Sequence, residues 1–120
     1  EAPRFARVRN SSELDAQLAA STRPVMLDFY ADWCVSCKEM EYRTLADPQV
    51  ARQLAGFTLL QADVTDNTAD DRALLKRFGL FGPPGILFFR PGGEELAGKR
   101  VIGFMGAEEF AQKLRQVQGL

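Results

Sequence analysis

The chain has 120 residues, 46% of them apolar, which is material for one core of ordinary size and too little for two. Its 15 basic and 16 acidic residues are spread along the chain and leave a net charge of -1, so there is neither a basic stripe for phosphate backbones nor an acidic tail, and nucleic acid is not an expected partner. Histidine is absent, which removes the commonest metal ligand and the commonest general base near neutral pH, and no apolar run is long enough to span a bilayer.

In chain order, a short strand is expected near Phe5 to Val8. Ser12, standing before Glu13 and Asp15, then reads as the N-cap of a helix with Leu14 and Leu18 on its inner face. Val25-Met26-Leu27-Asp28-Phe29-Tyr30 is almost continuously apolar and rich in strand formers, as in a central strand covered on both faces. From Cys34 the pattern turns helical through Met40, Leu45, Val50 and Leu54, with a break expected near Ala46 and a capped restart at Asp47-Pro48.

Thr58 to Val64 reads as a strand, Ala69 to Phe78 as a helix closed by Gly79, and Ile86 to Phe89 as a buried strand. A turn at Pro91-Gly92-Gly93, a last strand at Val101-Ile102-Gly103 and a closing helix from Ala107 to Val117 complete the chain. The order βαβαβαββα implies a central mixed β-sheet flanked by helices on both faces, parallel where helices intervene and antiparallel between the last two strands, joined by a tight turn. In such sheets the working residues gather beyond the carboxyl ends of the parallel strands, and Cys34 follows the strand ending at Tyr30 by four residues.

The two cysteines, Cys34 and Cys37, are separated by Val35 and Ser36 at the start of a helix. There the first sulfur lies beside unpaired backbone N–H groups that stabilise a thiolate. Cys34 is thus the candidate nucleophile and Cys37, one turn further in, the candidate resolving thiol of dithiol–disulfide exchange, which needs no cofactor. A zinc site lacks its second pair of Cys or His ligands, and a purely structural disulfide closing so few residues would constrain the unfolded chain little.

The string Tyr30-Ala31-Asp32-Trp33-Cys34-Val35-Ser36-Cys37-Lys38 resembles the active site of the thioredoxin superfamily, and more closely that of the C-terminal periplasmic domains of the DsbD family of bacterial transmembrane thiol:disulfide interchange proteins. The likeness extends through Val25-Met26-Leu27-Asp28, Lys38-Glu39-Met40-Glu41, Asp47-Pro48-Gln49-Val50, Leu59-Leu60-Gln61-Ala62-Asp63-Val64-Thr65, Ile86-Leu87-Phe88-Phe89 and Gly103-Phe104-Met105.

The resemblance implies a thioredoxin fold and a single domain over residues 1–120. It also implies electron transfer from the membrane-embedded domain of a DsbD protein to its N-terminal periplasmic domain, in support of disulfide isomerisation and cytochrome c maturation. The location implied is the periplasmic face of the inner membrane, with the isolated domain a monomer. A start at Glu1-Ala2-Pro3, without methionine, suits a domain cut from a longer membrane protein. The rivals are a free-standing thioredoxin served by a flavin-dependent reductase and a peptide-binding module without redox turnover.

Asp28 is a carboxylate in an apolar strand, so burial should raise its pKa. By its residue type alone it is either a hydrogen-bonded core acid or a strand-end group facing water. Glu41 follows Cys37 by four residues and Cys34 by seven, placing all three on one face of a regular helix, where a glutamate is otherwise an ordinary solvated residue. The resemblance implies that Asp28 and Glu41 act together on the dithiol, as proton acceptor and electrostatic brake. Negative charge beside a thiol opposes the helix N-terminus, and a less stabilised thiolate makes a better electron donor.

Pro84, just before a buried strand, takes the place of the family's cis-proline, which faces the dithiol and offers backbone to a bound peptide. Pro83 and Gly85 depart from the family pattern, which has a residue with a free N–H before that proline and often threonine after it. Trp33 is either core or a flat surface shielding the sulfur, and Tyr30 and Phe81 are candidates for the same rim. No metal site is expected.

Overall fold

Strand β2, Val25–Tyr30, is the axis of the molecule, buried along its whole length between two other strands. The computed structural model describes residues 3–120; Glu1 and Ala2, where the expectation of a processed start falls, lie outside the described residues. On one side β2 pairs in parallel with β3, Thr58–Asp63, and on the other it pairs antiparallel with β4, Gly85–Phe89. Short edge strands β1, Ala6–Arg7, and β5, Val101–Ile102, complete the order β1-β3-β2-β4-β5.

Side chains alternate across this sheet, so each strand feeds two cores. Val25, Leu27 and Phe29, with Leu60, Leu87 and Phe89, pack beneath helices α1, Ser11–Ala20, and α4, Ala69–Arg77, which contribute Leu14, Leu18, Leu74 and Leu75. On the opposite face Met26, Ile86 and Phe88 meet Met40, Leu45, Val50, Leu54, Phe110, Leu114 and Val117. Those come from Met40–Leu45, which continues α2, Val35–Glu39, and from α3, Pro48–Leu54, and α5, Ala107–Gln118. Each such side chain removed from water contributes roughly 1.5–3 kcal/mol. Asp28 alternates with Met26 and so points toward this second face, which Met40–Leu45, the continuation of α2, covers, whereas Cys34 and Cys37 pack with the first core.

The cap residues explain where the helices begin. Asp47 accepts from the backbone N–H groups of Gln49 and Val50 and Pro48 follows at the first helical position, as expected for the restart. Thr68 and Asp71 form a reciprocal capping box on α4, and Gly79, at φ +69°, ends that segment.

Five sequence expectations are corrected. Helix α1 starts at Ser11, because the Asn10 side chain, not Ser12, accepts from Glu13 N–H. The first strand is confined to Ala6–Arg7. Strand β4 runs antiparallel to β2, although α4 precedes it, because the Phe78–Pro84 segment returns the chain to the end of the sheet from which β2 exits. The connection to β5 is no tight turn: after Pro91-Gly92-Gly93 it bridges back at Glu95 to Phe89 and adds a 3-10 turn, Ala97–Lys99. Finally, the helix after Cys34 does not stay α-helical up to Ala46, since Met40–Leu45 is wound as a π-helix, in which Ala46 N–H reaches Glu41 C=O.

Candidate active site

Cys34 and Cys37 are joined as a disulfide, with Cα atoms 5.2 Å apart and both residues buried. Cys34 is the N-cap of α2: its extended backbone turns the chain out of β2, and its Sγ accepts the Cys37 backbone N–H at 3.1 Å. In the reduced protein the same N–H stabilises a Cys34 thiolate. Cys37 Sγ is deeper, 4.0 Å from the Phe29 carbonyl oxygen.

Asp28 is only 8% exposed. Burial pushes its carboxyl up to about 7, from 3.8; the amide of Gln61, donating from Nε2 to Oδ2 at 3.3 Å, opposes that rise, and the charge of Glu41 adds to it. Glu41 is half-buried in the first turn of the π-helix. The π-winding changes the regular spacing from which a shared face was expected, yet the field of Glu41 still reaches both Asp28 and Lys38.

Tyr30 is buried, so it is not an exposed rim residue; its hydroxyl donates to Asp32 Oδ1 at 3.0 Å and accepts from Lys38 Nζ. Burial raises the Tyr30 pKa, and the Tyr30 hydroxyl foremost raises that of Lys38, whose ammonium also lies 5.1 Å from the centre of the Tyr30 ring. Trp33 is surface rather than core, 61% exposed, and its indole N–H donates to the Thr65 carbonyl at 3.0 Å, which fixes the ring against the loop after β3.

The Pro83–Pro84 bond is cis, as expected at this position. Pro84 C=O accepts from Gly103 N–H at 3.4 Å, and Pro83 has no N–H to offer an incoming chain. Phe81 is fully exposed three residues earlier. A Cβ on Gly85 would lie 3.3 Å from Leu80 Cδ1, so the departure from threonine makes room for Leu80.

A family profile described as thioredoxin-like matches residues 8–91. The C-terminal domain of Neisseria meningitidis DsbD in its oxidised form superposes with a TM-score of 0.76 at 39% identity, covering 93% of this chain and 99% of that one. The chain belongs to the thioredoxin-like family, among the C-terminal domains of DsbD. The thiol:disulfide interchange protein DsbD of Ralstonia nicotianae is 58% identical over 118 residues and that of Pectobacterium atrosepticum 52% over 112, matching 96% and 93% of this chain. The chain spans 19% of the length of each of these two relatives.

A DsbD-type Cys-x-x-Cys pair at a helix N-terminus is built for thiol–disulfide interchange. No helix among the described residues is long and apolar enough to cross a membrane, and none of their acidic and cysteine side chains cluster in threes to hold a metal. Two partners of the site residues, one of Asp28 and one of Tyr30, are not written in the local sequence. Gln61 was hidden because only the register of β3 against β2 sets it opposite Asp28. Lys38 was legible in part, since it directly follows Cys37, but its bond to Tyr30 depends on how α2 leaves the strand.

Proposed function

We propose that this domain is a reductant that receives two electrons from a dithiol in the membrane-embedded domain of a longer DsbD protein and hands them to that protein's amino-terminal periplasmic domain. Disulfide isomerases and cytochrome c maturation lie downstream. The observation that carries the reading is Asp28, a buried acid titrating near 7 that feels the charge of Glu41, on the segment that continues the cysteine-bearing helix. A group with a pKa close to the working pH can accept and return a proton, and in its charged form it disfavours the Cys34 thiolate.

The exchange balances as two displacements. The Cys34 thiolate attacks one sulfur of a partner's disulfide; that bond breaks, the departing sulfur takes up a proton and a mixed disulfide forms. Cys37, losing its proton, then attacks Cys34, the mixed disulfide breaks, and the partner leaves as a dithiol while the Cys34–Cys37 bond is restored. Two electrons pass to the partner and no cofactor enters. Trp33 and Phe81 present exposed aromatic surface, Pro84 backbone, and Tyr30 with Lys38 the lateral support of α2.

The test is Cys37→Ser in the full-length protein, which leaves Cys34 unable to release its partner. A stable mixed disulfide with the amino-terminal domain is expected. Failure to trap it, together with efficient turnover by a flavin-dependent thioredoxin reductase, would transfer the assignment to a free-standing thioredoxin.

A further inference from the structure

The turn that delivers Cys34 is held from outside by one residue. Cys34 N–H donates to Ala31 C=O at 3.1 Å, so Ala31–Cys34 forms a β-turn with Asp32 and Trp33 at its centre. Thr65, just past the end of β3, holds both central residues. The Asp32 backbone N–H donates to Thr65 Oγ1 at 2.9 Å, and the Trp33 indole N–H donates to the Thr65 carbonyl at 3.0 Å. Backbone contact between the two chains ends where Val64 N–H meets Tyr30 C=O at 2.7 Å, and the Thr65 hydroxyl carries it on to Asp32.

That hydroxyl is aimed. It donates to Asp63 Oδ1, which also accepts the Thr65 backbone N–H at 3.0 Å, so its lone pairs are left for Asp32. Core packing does not fix the centre of the turn: Asp32 and Trp33 are exposed, whereas Ala31 and Cys34 on either side are buried. The Asp32 carboxylate has a second hold, from the Tyr30 hydroxyl at 3.0 Å. In the oxidised protein the disulfide also ties Cys34 to α2. Reduction removes that tie just when Cys34 must be oriented for attack, and leaves the turn to its hydrogen bonds.

We infer that Thr65 is a positioning residue for thiol–disulfide exchange: through its hydroxyl and carbonyl it fixes Asp32 and Trp33, and with them the direction in which the reduced Cys34 Sγ meets a partner's disulfide. The inference rests on the exchange reading above. The hydrogen bonds of Thr65 reach neither sulfur, so it acts on the rate by keeping the nucleophile's turn in an attack-ready geometry.

The test is the rate at which the reduced domain cleaves hydroxyethyl disulfide, followed across pH and taken per folded molecule from urea unfolding of each variant. Thr65→Val keeps the shape but loses the hydroxyl; it should lower the high-pH plateau about tenfold and leave the midpoint, which reads Cys34 ionisation, in place. Thr65→Ser restores the hydroxyl and should return the rate to within about twofold of native. Asp63→Ala keeps the hydroxyl but removes the acceptor that aims it, and should slow the reaction about threefold. Trp33 is the only tryptophan, so the fluorescence anisotropy of the domain follows its ring; it should fall in Thr65→Val and recover in Thr65→Ser. A native plateau in Thr65→Val and Asp63→Ala, or a Thr65→Ser as slow as Thr65→Val, overturns the positioning role, and a shifted midpoint with an unchanged plateau overturns it in favour of an electrostatic one. If the native domain itself leaves hydroxyethyl disulfide intact, the exchange reading falls, and the positioning role with it, even where the anisotropy behaves as expected.

Discussion

Asp28 and Gln61 are cross-strand partners on β2 and β3, and the Gln61 amide donates to the Asp28 carboxyl at 3.3 Å. That bond is the influence favouring ionised Asp28, against burial and the charge of Glu41. Gln61→Leu should therefore move the Asp28 titration upward from about 7, on the order of one pH unit, and Gln61→Glu should move it upward too by adding a like charge. Carboxyl carbon chemical shifts of the oxidised domain follow this directly. A titration unmoved by Gln61→Leu would deny the amide its role.

The same acid sets a pH dependence of stability. Its folded pKa of about 7 stands above the unfolded 3.8, so between these values the folded state binds more protons and stability falls as pH rises. Above about 7 the loss is complete. Asp28→Asn escapes it, and its stability gain over the native domain should be near zero at pH 3 and reach as much as about 4 kcal/mol at pH 8. Urea unfolding at the two pH values checks this; an equal gain at both would show that ionisation is not the cause.

Thr44, fully buried in the π-helix, donates its hydroxyl to the Met105 carbonyl at 2.6 Å, and Met105 N–H meets Met40 Sδ at 3.3 Å. The same loop reaches Pro84 through Gly103. Thr44→Val leaves that carbonyl unsatisfied and should cost about 1–2 kcal/mol in chemical denaturation, whereas Thr44→Ser keeps the bond and should lose less. Identical losses would assign the effect to packing alone.

Gly85 tests the fit around Leu80. Restoring the family's threonine forces Leu80 to shift from its 3.3 Å approach, and Gly85→Thr should destabilise the domain by about 1–3 kcal/mol. A crystal structure of the variant should show the Leu80 side chain displaced from its present position. Native stability with Leu80 in place would refute the packing argument.

The sequence made the architecture legible wherever local chemistry decides it. The apolar run at β2, the Asp47-Pro48 cap and Gly79 act over a few residues, and each stands where its pattern places it. Asp28 was legible for the same reason, as an acid with no apolar excuse for its position. What stayed hidden depends on distant partners. The direction of β4 is set by how the chain returns after α4, the pairing of Gln61 with Asp28 by sheet register, and the burial of Tyr30 by the fold around its ring. The π-winding at Met40–Leu45 has no residue signature comparable to a proline or glycine, so spacing alone predicts a shared face of Cys34, Cys37 and Glu41 on a regular helix.

In the proposed function Asp28 and Glu41 restrain the nucleophile. Thiolate absorbance of the reduced domain, followed across pH, reads the ionisation of Cys34 in the native protein, in Asp28→Asn, in Glu41→Gln and in the double variant. Restraint predicts that native Cys34 ionises above the ordinary thiol value of about 8.5 and that each substitution lowers it, the double variant most, by about one pH unit or more. A native Cys34 that already ionises below the ordinary value, unmoved by either substitution, would rule out restraint by the two acids.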